Sequence, residues 1–173
     1  MTATVSLFTL RPPSPSDRTR VAEIVHATGV FRPQEEAIAL EVFDSAVSKP
    51  GVDYHALGAY GDLDRLLGFT CYGSTPGTEA TWDLYWIAVD PAGHRRGVGR
   101  ALMDAAERAI ALANGRLVVV ETSSRPDYGP TRAFYEALAY RATARIPDFY
   151  AAGDDLIVYT KRLVLQGRER PHG

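Results

Sequence analysis

The stretch Val89-Asp90-Pro91-Ala92-Gly93-His94-Arg95-Arg96-Gly97-Val98-Gly99-Arg100-Ala101-Leu102-Met103 decides how this chain is read. It has the pattern of a strand end, a short turn rich in glycine and arginine, and the opening of a helix. Gly97 and Gly99 carry no Cβ, so the backbone there can come close to a ligand. The first amides of the following helix lack intrahelical partners and carry the positive end of the helix dipole. Such a helix start receives phosphate. Arg95, Arg96 and Arg100 add guanidinium groups that pair with phosphate oxygens.

The flanking residues extend this pattern in both directions. Upstream, the aromatic-rich run 81–89 predicts a strand leading into the turn. Downstream, Leu102, Ala105, Ala106, Ala109 and Ile110 predict the inner face of a helix over 98–113, with Asp104 and Arg108 paired on its outside. Asn114-Gly115 ends that helix, and Leu117-Val118-Val119-Val120 predicts a buried strand of the parallel type. Strand, helix and strand over 81–122 imply a parallel crossover.

The rest of the chain supplies further elements around this unit. Residues 4–10 alternate polar and apolar and predict a first strand. Val21, Ile24 and Val25 stripe a first helix that stops near Gly29. A second helix is expected from Pro33 to Ser48, with Glu35 and Glu36 in its first turn and Ala37, Ile38, Val42 and Ala46 as its apolar face. Strands follow at 54–60 and 65–72, joined by the hairpin-type connection Gly61-Asp62-Leu63-Asp64. Gly129-Pro130 opens another helix, whose Phe134 and Leu138 are expected to face the core. Tyr135 then lies about 100° round from Phe134 and is free to face a site. Strands near 140–146 and 156–163 finish the order β-α-α-β-β-β-α-β-α-β-β, and 166–173 reads as a polar tail. One domain over 1–165 is expected.

Bulk composition narrows the partners. The chain has 173 residues, 46% of them apolar and 23% charged, and a formal net charge of −2. That balance gives no support to a nucleic-acid or anionic-membrane partner, so phosphate binding has to be local. The single cysteine, Cys71, excludes an internal disulfide and a cysteine-rich metal site, and its apolar run predicts a buried thiol. His94, His26 and His55 have no partner at ligand spacing, so no metal is expected. No leader pattern opens the sequence and no apolar run has membrane-spanning length, so a cytoplasmic protein is expected. A P-loop fits poorly because no Gly-Lys-Ser/Thr follows the turn. A dinucleotide fingerprint lacks its third glycine, since Leu102 stands there.

Two blocks carry a family resemblance. The first is Leu84-Tyr85-Trp86-Ile87-Ala88-Val89-Asp90-Pro91 with His94-Arg95-Arg96-Gly97-Val98-Gly99. The second is Pro130-Thr131-Arg132-Ala133-Phe134-Tyr135-Glu136-Ala137-Leu138-Ala139-Tyr140. Together with the element order, they resemble the GCN5-related N-acetyltransferase (GNAT) superfamily over essentially the whole chain. Two positions depart from its pattern: His94 stands where the family has Arg or Gln, and Ala139 where it usually has glycine. The resemblance implies an α/β (α+β) three-layer fold. Its mixed, mostly antiparallel sheet of six to seven strands contains a splayed parallel pair, here 81–89 and 117–122, and is flanked by about four helices.

The resemblance also implies chemistry. Acetyl-CoA would be the co-substrate, its pyrophosphate on the turn formed by His94, Arg95, Arg96, Gly97, Val98, Gly99, Arg100 and Ala101, with Arg132 added to the binding set. Its pantetheine arm would run beside Ile87, Ala88 and Val89 like an added strand. The amine acceptor would be a small metabolite, an antibiotic amine, or a peptide or protein amine, and an aromatic wall at Trp82, Tyr85 and Trp86 would favour an apolar body. Segments 29–36 and 146–153, with Phe31, Phe149 and Tyr150, lie where relatives build that site. Tyr135 matches the family's proton donor to the departing thiolate, and a site-facing role is preferred over the alternative of a core aromatic on an amphipathic helix. For the base, Asp83 and Glu121 are both candidates, with Asp83 preferred. Homodimerisation, common in the family, is carried by the resemblance alone. A catalytically silent acyl-CoA-binding sensor is the competing reading.

Overall fold

The computed structural model describes residues 8–93 and 97–163. Its strands are β1 (Thr9–Arg11), β2 (His55–Tyr60), β3 (Leu66–Ser74), β4 (Thr81–Val89), β5 (Leu117–Ser123), β6 (Arg141–Ala151) and β7 (Asp154–Arg162), and its α-helices are α1 (Arg18–Ala27), α2 (Pro33–Ser48), α3 (Val98–Leu112) and α4 (Gly129–Ala137). They follow one another in the order the sequence predicts. The strands form one mixed sheet in the order β1-β2-β3-β4-β5-β7-β6, with one parallel pair.

The chain divides into two compact units. The first holds residues up to Gly73 and Leu84–Ala106. Val21, Ile24 and Val25 of α1 are buried together with Ala39, Phe43 and Ala46 of α2 against Tyr60, Leu66, Phe69, Cys71 and Ala88. Phe43 meets Phe69 edge-on at 5.9 Å between ring centroids. A second cluster joins Val98 and Leu102 to Ala59 and Leu67, with Ile87 and Val89 against it. Strand β3 is therefore covered on both faces, and eight of its nine residues are buried. That is why its sequence is continuously apolar rather than alternating. Tyr60 donates to Asp17 Oδ2 at 2.8 Å while Arg11 lies over its ring at 3.5 Å.

The second unit holds Ser74–Asp83 and the chain from Glu107 onward. Strands β5, β7 and β6 pair antiparallel, with Glu121 opposite Val158 and Thr122 opposite Ile157. One face buries Val118, Val120, Ile157 and Tyr159. Beside them, Tyr140 donates to Glu107 at 3.0 Å and Lys161 to the same carboxylate at 2.7 Å. Gly115 is required here by close approach, because a Cβ would stand 2.3 Å from Ile110 and 2.7 Å from Trp82.

Helices α3 and α4 end in the same way. Asn114 and Ala139 both have positive φ, 62° and 66°. The amide of the residue after each reaches back five residues: Gly115 to Ile110 at 2.8 Å and Tyr140 to Tyr135 at 3.0 Å. These are Schellman closures with asparagine and alanine where glycine is usual.

Several expectations need correction. The inner face of α2 is Ala39, Phe43 and Ala46, and Ile38 is 51% exposed. Both stripes are helical in spacing, and the phenyl ring of Phe43 buries more apolar area than Ile38 offers. On α4 the deeply buried aromatic is Tyr135, while Phe134 is only half-buried. The inner face of α3 includes Val98 and Met103, and Ala105 and Ala109 are half-buried. The connection at 61–64 is a single 3-10 turn with Leu63 and Asp64 at positive φ. β1 is described from Thr9, and the remainder of the expected 4–10 strand and the 166–173 tail fall outside the described residues, except Phe8.

Candidate active site

The glycine–arginine turn read from the sequence as a candidate phosphate receptor falls within the first unit. Asp90 fixes its start: its amide donates to Leu67 O at 2.8 Å, and its carboxylate accepts from the Ala92 amide at 3.0 Å and from Arg20. Burial opposes ionisation of Asp90, but the Ala92 amide and the charge of Arg20 outweigh it and hold its pKa below the ordinary aspartate value. Gly97 closes the turn with φ +75°, and a Cβ built on it meets nothing within 4 Å. It is a glycine by conformation, and the space beside it is open. Helix α3 then begins, with Ala101 donating to Gly97 O at 2.9 Å. The amides of Val98, Gly99 and Arg100 precede that first bond, as a helix start requires. His94, Arg95 and Arg96 lie outside the described residues.

The strand before the turn is equally well supported. Trp86 O accepts from Thr70 at 2.8 Å, and Ala88 is buried against the α1–α2 cluster. Ile87 and Val89 pack toward Val98 and Leu102. Phe31 meets Trp86 edge-on at 4.7 Å, and Tyr54 meets Tyr85 at 4.9 Å. Tyr85 is 38% exposed.

The second unit carries the titrating groups. Asp83 accepts from Thr75 Oγ1 at 2.6 Å. Partial desolvation, and then the negative charge of Asp83, raise the Glu121 carboxyl above the ordinary glutamate value. The two carboxyls named from the sequence therefore sense each other. Tyr135 packs among Phe134, Tyr140 and Tyr159 at 5.5, 5.8 and 6.0 Å. Burial, and then Tyr128, push its phenol well above the ordinary tyrosine value, so it keeps its proton at neutral pH. Arg132 commits Nη1 to Ser123 O at 2.7 Å and Arg125 O at 2.9 Å, which pins the start of α4 to the end of β5. Phe149 and Tyr150 meet edge-on at 5.0 Å on β6, both exposed.

One residue was not foreseen. Thr122, buried on β5, has its Oγ1 without a hydrogen-bond partner. The only sequence signal is a hydroxyl inside the otherwise apolar and acidic run Val118-Val119-Val120-Glu121-Thr122. Among the described residues no group of His, Cys, Asp or Glu could hold a metal ion. No helix among them is long and apolar enough to cross a membrane.

Comparison with known proteins agrees with this layout. The family model described as an acetyltransferase (GNAT) domain matches residues 53–142. A curated relative, mycothiol acetyltransferase of Segniliparus rotundus, is 28% identical over 138 residues, covering 76% of this chain and 50% of its own length. The chain thus spans about half the length of that curated relative. A GNAT-family protein from Desulfovibrio desulfuricans shares 41% identity and a TM-score of 0.84, covering 90% of this chain and 98% of its own. The yncA protein of Salmonella typhimurium, solved with its cofactor acetyl-CoA, shares the fold at 18% identity and a TM-score of 0.71, covering 96% of this chain and 98% of its own. The matched region contains strands β2 to β5, the glycine–arginine turn, Asp83, Glu121 and Tyr135. The chain belongs to the GNAT acetyltransferase family.

Proposed function

We propose that this protein moves the acetyl group of acetyl-CoA onto a primary amine by direct attack in a ternary complex. The observation that carries the reading is Glu121, whose carboxyl is raised first by partial desolvation and then by the negative charge of Asp83. A carboxylate shifted toward neutrality is a better proton acceptor for an alkylammonium than an ordinary one. The sequence favours Asp83 as the base; the electrostatics favour Glu121, with Asp83 tuning it. Glu121 takes one proton from the acceptor's ammonium, directly or through water. The freed amine attacks the thioester carbonyl, a C–N bond forms and the C–S bond breaks. Tyr135 gives its proton to the departing sulphur, and the second proton, shed by the nitrogen as it becomes a neutral amide, is released to water and balances the later reprotonation of the Tyr135 phenolate.

The donor fits the residues present. Gly97 leaves an open space at the start of α3 that any side chain would fill, and the first amides of the helix follow it. These amides and the dipole would take the pyrophosphate, and the guanidinium of Arg100 stands in the same turn. The backbone of β4 at Ile87–Val89 would take the pantetheine arm. The acceptor is a small-molecule amine or the amine of a peptide or protein. The exposed rings of Phe149 and Tyr150 favour one whose amine sits on an apolar body.

A thiol-release assay with acetyl-CoA against a panel of amines tests the proposal. Acceptor-dependent release of CoA supports it. Saturable CoA binding without turnover on any acceptor would instead assign the protein to acyl-CoA sensing, and failure to bind CoA would remove both readings.

A further inference from the structure

We propose that Arg20 on α1 is a positioning residue for the donor: it cancels the charge of Asp90, so that a carboxylate can hold the turn without repelling a diphosphate. The inference rests on the acetyl-CoA reading above and adds to it a residue from a helix that carries none of the sequence motifs.

The turn needs a side-chain acceptor at its head, and Asp90 supplies one. Its Oδ1 accepts from the Ala92 amide at 3.0 Å, an Asx-type closure, while its own amide donates to Leu67 O at 2.8 Å. Asparagine offers the same carbonyl oxygen and would close the same turn without charge. The Asp90 side chain is only 12% exposed, so its charge is poorly screened by water. Aspartate therefore puts a negative charge at the head of a turn that is to receive an anion. Alone it would oppose the ligand.

Arg20 removes that conflict. Its Nη2 donates to Asp90 Oδ2, its Nε to Leu66 O at 3.1 Å and its Nη1 to Glu23 at 2.9 Å. Every nitrogen of the guanidinium is thus committed, and the side chain is 21% exposed. Arg65 stands 3.6 Å from the same carboxylate oxygen, but its side chain is 62% exposed and its charge counts for less. Glu23 is more than half exposed, and water screens it in the same way. All of these residues belong to the first unit. Arg20 therefore does two things. It braces α1 against β3 through Leu66 O, and it neutralises Asp90. The two can be measured apart.

The test is CoA binding by calorimetry, with thermal melting, on Arg20→Gln, Asp90→Asn and the double variant. Arg20→Gln leaves Asp90 charged beside Arg65 alone, and its Kd should rise about five- to tenfold, the effect of one uncancelled charge near an anion. Asp90→Asn keeps the acceptor for Ala92 and frees the charge of Arg20, so its Kd should fall about threefold. In the double variant neither charge remains, and Kd should return to within about twofold of the wild type. Its melting temperature should stay low, because the bond to Leu66 O is still missing. A mere brace gives the opposite pattern: the double variant would bind as weakly as Arg20→Gln, and that result overturns the proposal. Unchanged affinity in Arg20→Gln overturns it too. Should Arg20→Gln fail to fold, Asp90→Asn decides alone: tighter CoA binding supports the proposal, and equal or weaker binding overturns it. Wild-type protein that fails to bind CoA would bring down the functional reading itself, a result separate from these.

Discussion

Glu121, Tyr135 and Ala139 show how single residues make this site and what they cost. If Glu121 is the base, activity rises with pH as its carboxyl ionises, and its raised pKa puts that acid limb above the position of an ordinary glutamate. Asp83→Asn removes the neighbouring negative charge, so the acid limb of kcat/KM should move to lower pH. A limb that stays in place would separate the two carboxyls. The stability sign follows from the same shift. A group whose folded pKa is raised stabilises the fold below its unfolded pKa, and that contribution is lost as pH rises through the folded value. Glu121→Gln should therefore be at least as stable as the wild type at neutral pH while losing turnover, as thermal melting and rate measurements will show. Tyr135→Phe should lower kcat by about a hundredfold and change the KM for acetyl-CoA far less. Ala139 is strained by its φ of 66°. Ala139→Gly should add about 1 kcal/mol and raise the melting temperature by about 2–4 °C in a chain of this length. The need for positive φ at residue 139 was legible from the resemblance, because glycine is the family's usual residue there. The burial of Tyr135 was not. Phe134 and Tyr135 are adjacent aromatics on a short helix, and spacing alone cannot say which ring will pack against Tyr140 and Tyr159.

Elements were read well where one stripe had no rival. Val21, Ile24 and Val25 are the strong apolar residues of α1, and all are buried. Helix α2 offers two stripes one residue apart, and the tertiary partner Phe69 decides for Phe43. Nothing local to α2 contains that information. The strand–turn–helix element at 81–112 was legible to within a residue, since a two-residue period changes abruptly to a helical one across Asp90-Pro91. Its function can be tested as an element. Gly97→Trp places a large side chain in the open space at the α3 start, with the strain of positive φ worth about 1 kcal/mol. Circular dichroism should show the fold retained, and calorimetry should show CoA binding abolished. Tight CoA binding by this variant would contradict the phosphate cradle.

Over the whole molecule, burial is uneven and stability should follow it. The apolar cluster of the first unit encloses β3, whereas every residue of β6 is exposed. β6 is the outermost strand of the sheet and carries Ile146, Phe149 and Tyr150 into solvent. Pro147 and Asp148, the latter at a φ of 53°, interrupt its row of donors and blunt it as a template for another strand. Hydrogen exchange should find the β3 amides among the slowest in the chain and those of β6 among the fastest. Comparable protection in the two strands would mean that another surface covers β6. Sequence patterning carried half of this contrast: the continuously apolar run of β3 marks a strand covered on both faces, whereas only the sheet order makes β6 an edge.

The centre of the first unit also has a practical use. Cys71 is the single thiol of the chain, has no exposed surface, and is pushed by burial up to about 12. Thiol reagents attack thiolates, so the folded protein is silent toward them. In a colorimetric assay of released CoA, any thiol signal from folded enzyme is therefore product. The same silence makes the cysteine a clock: with acetyl-CoA absent, the slow appearance of one labelled thiol per chain times how often the first unit opens.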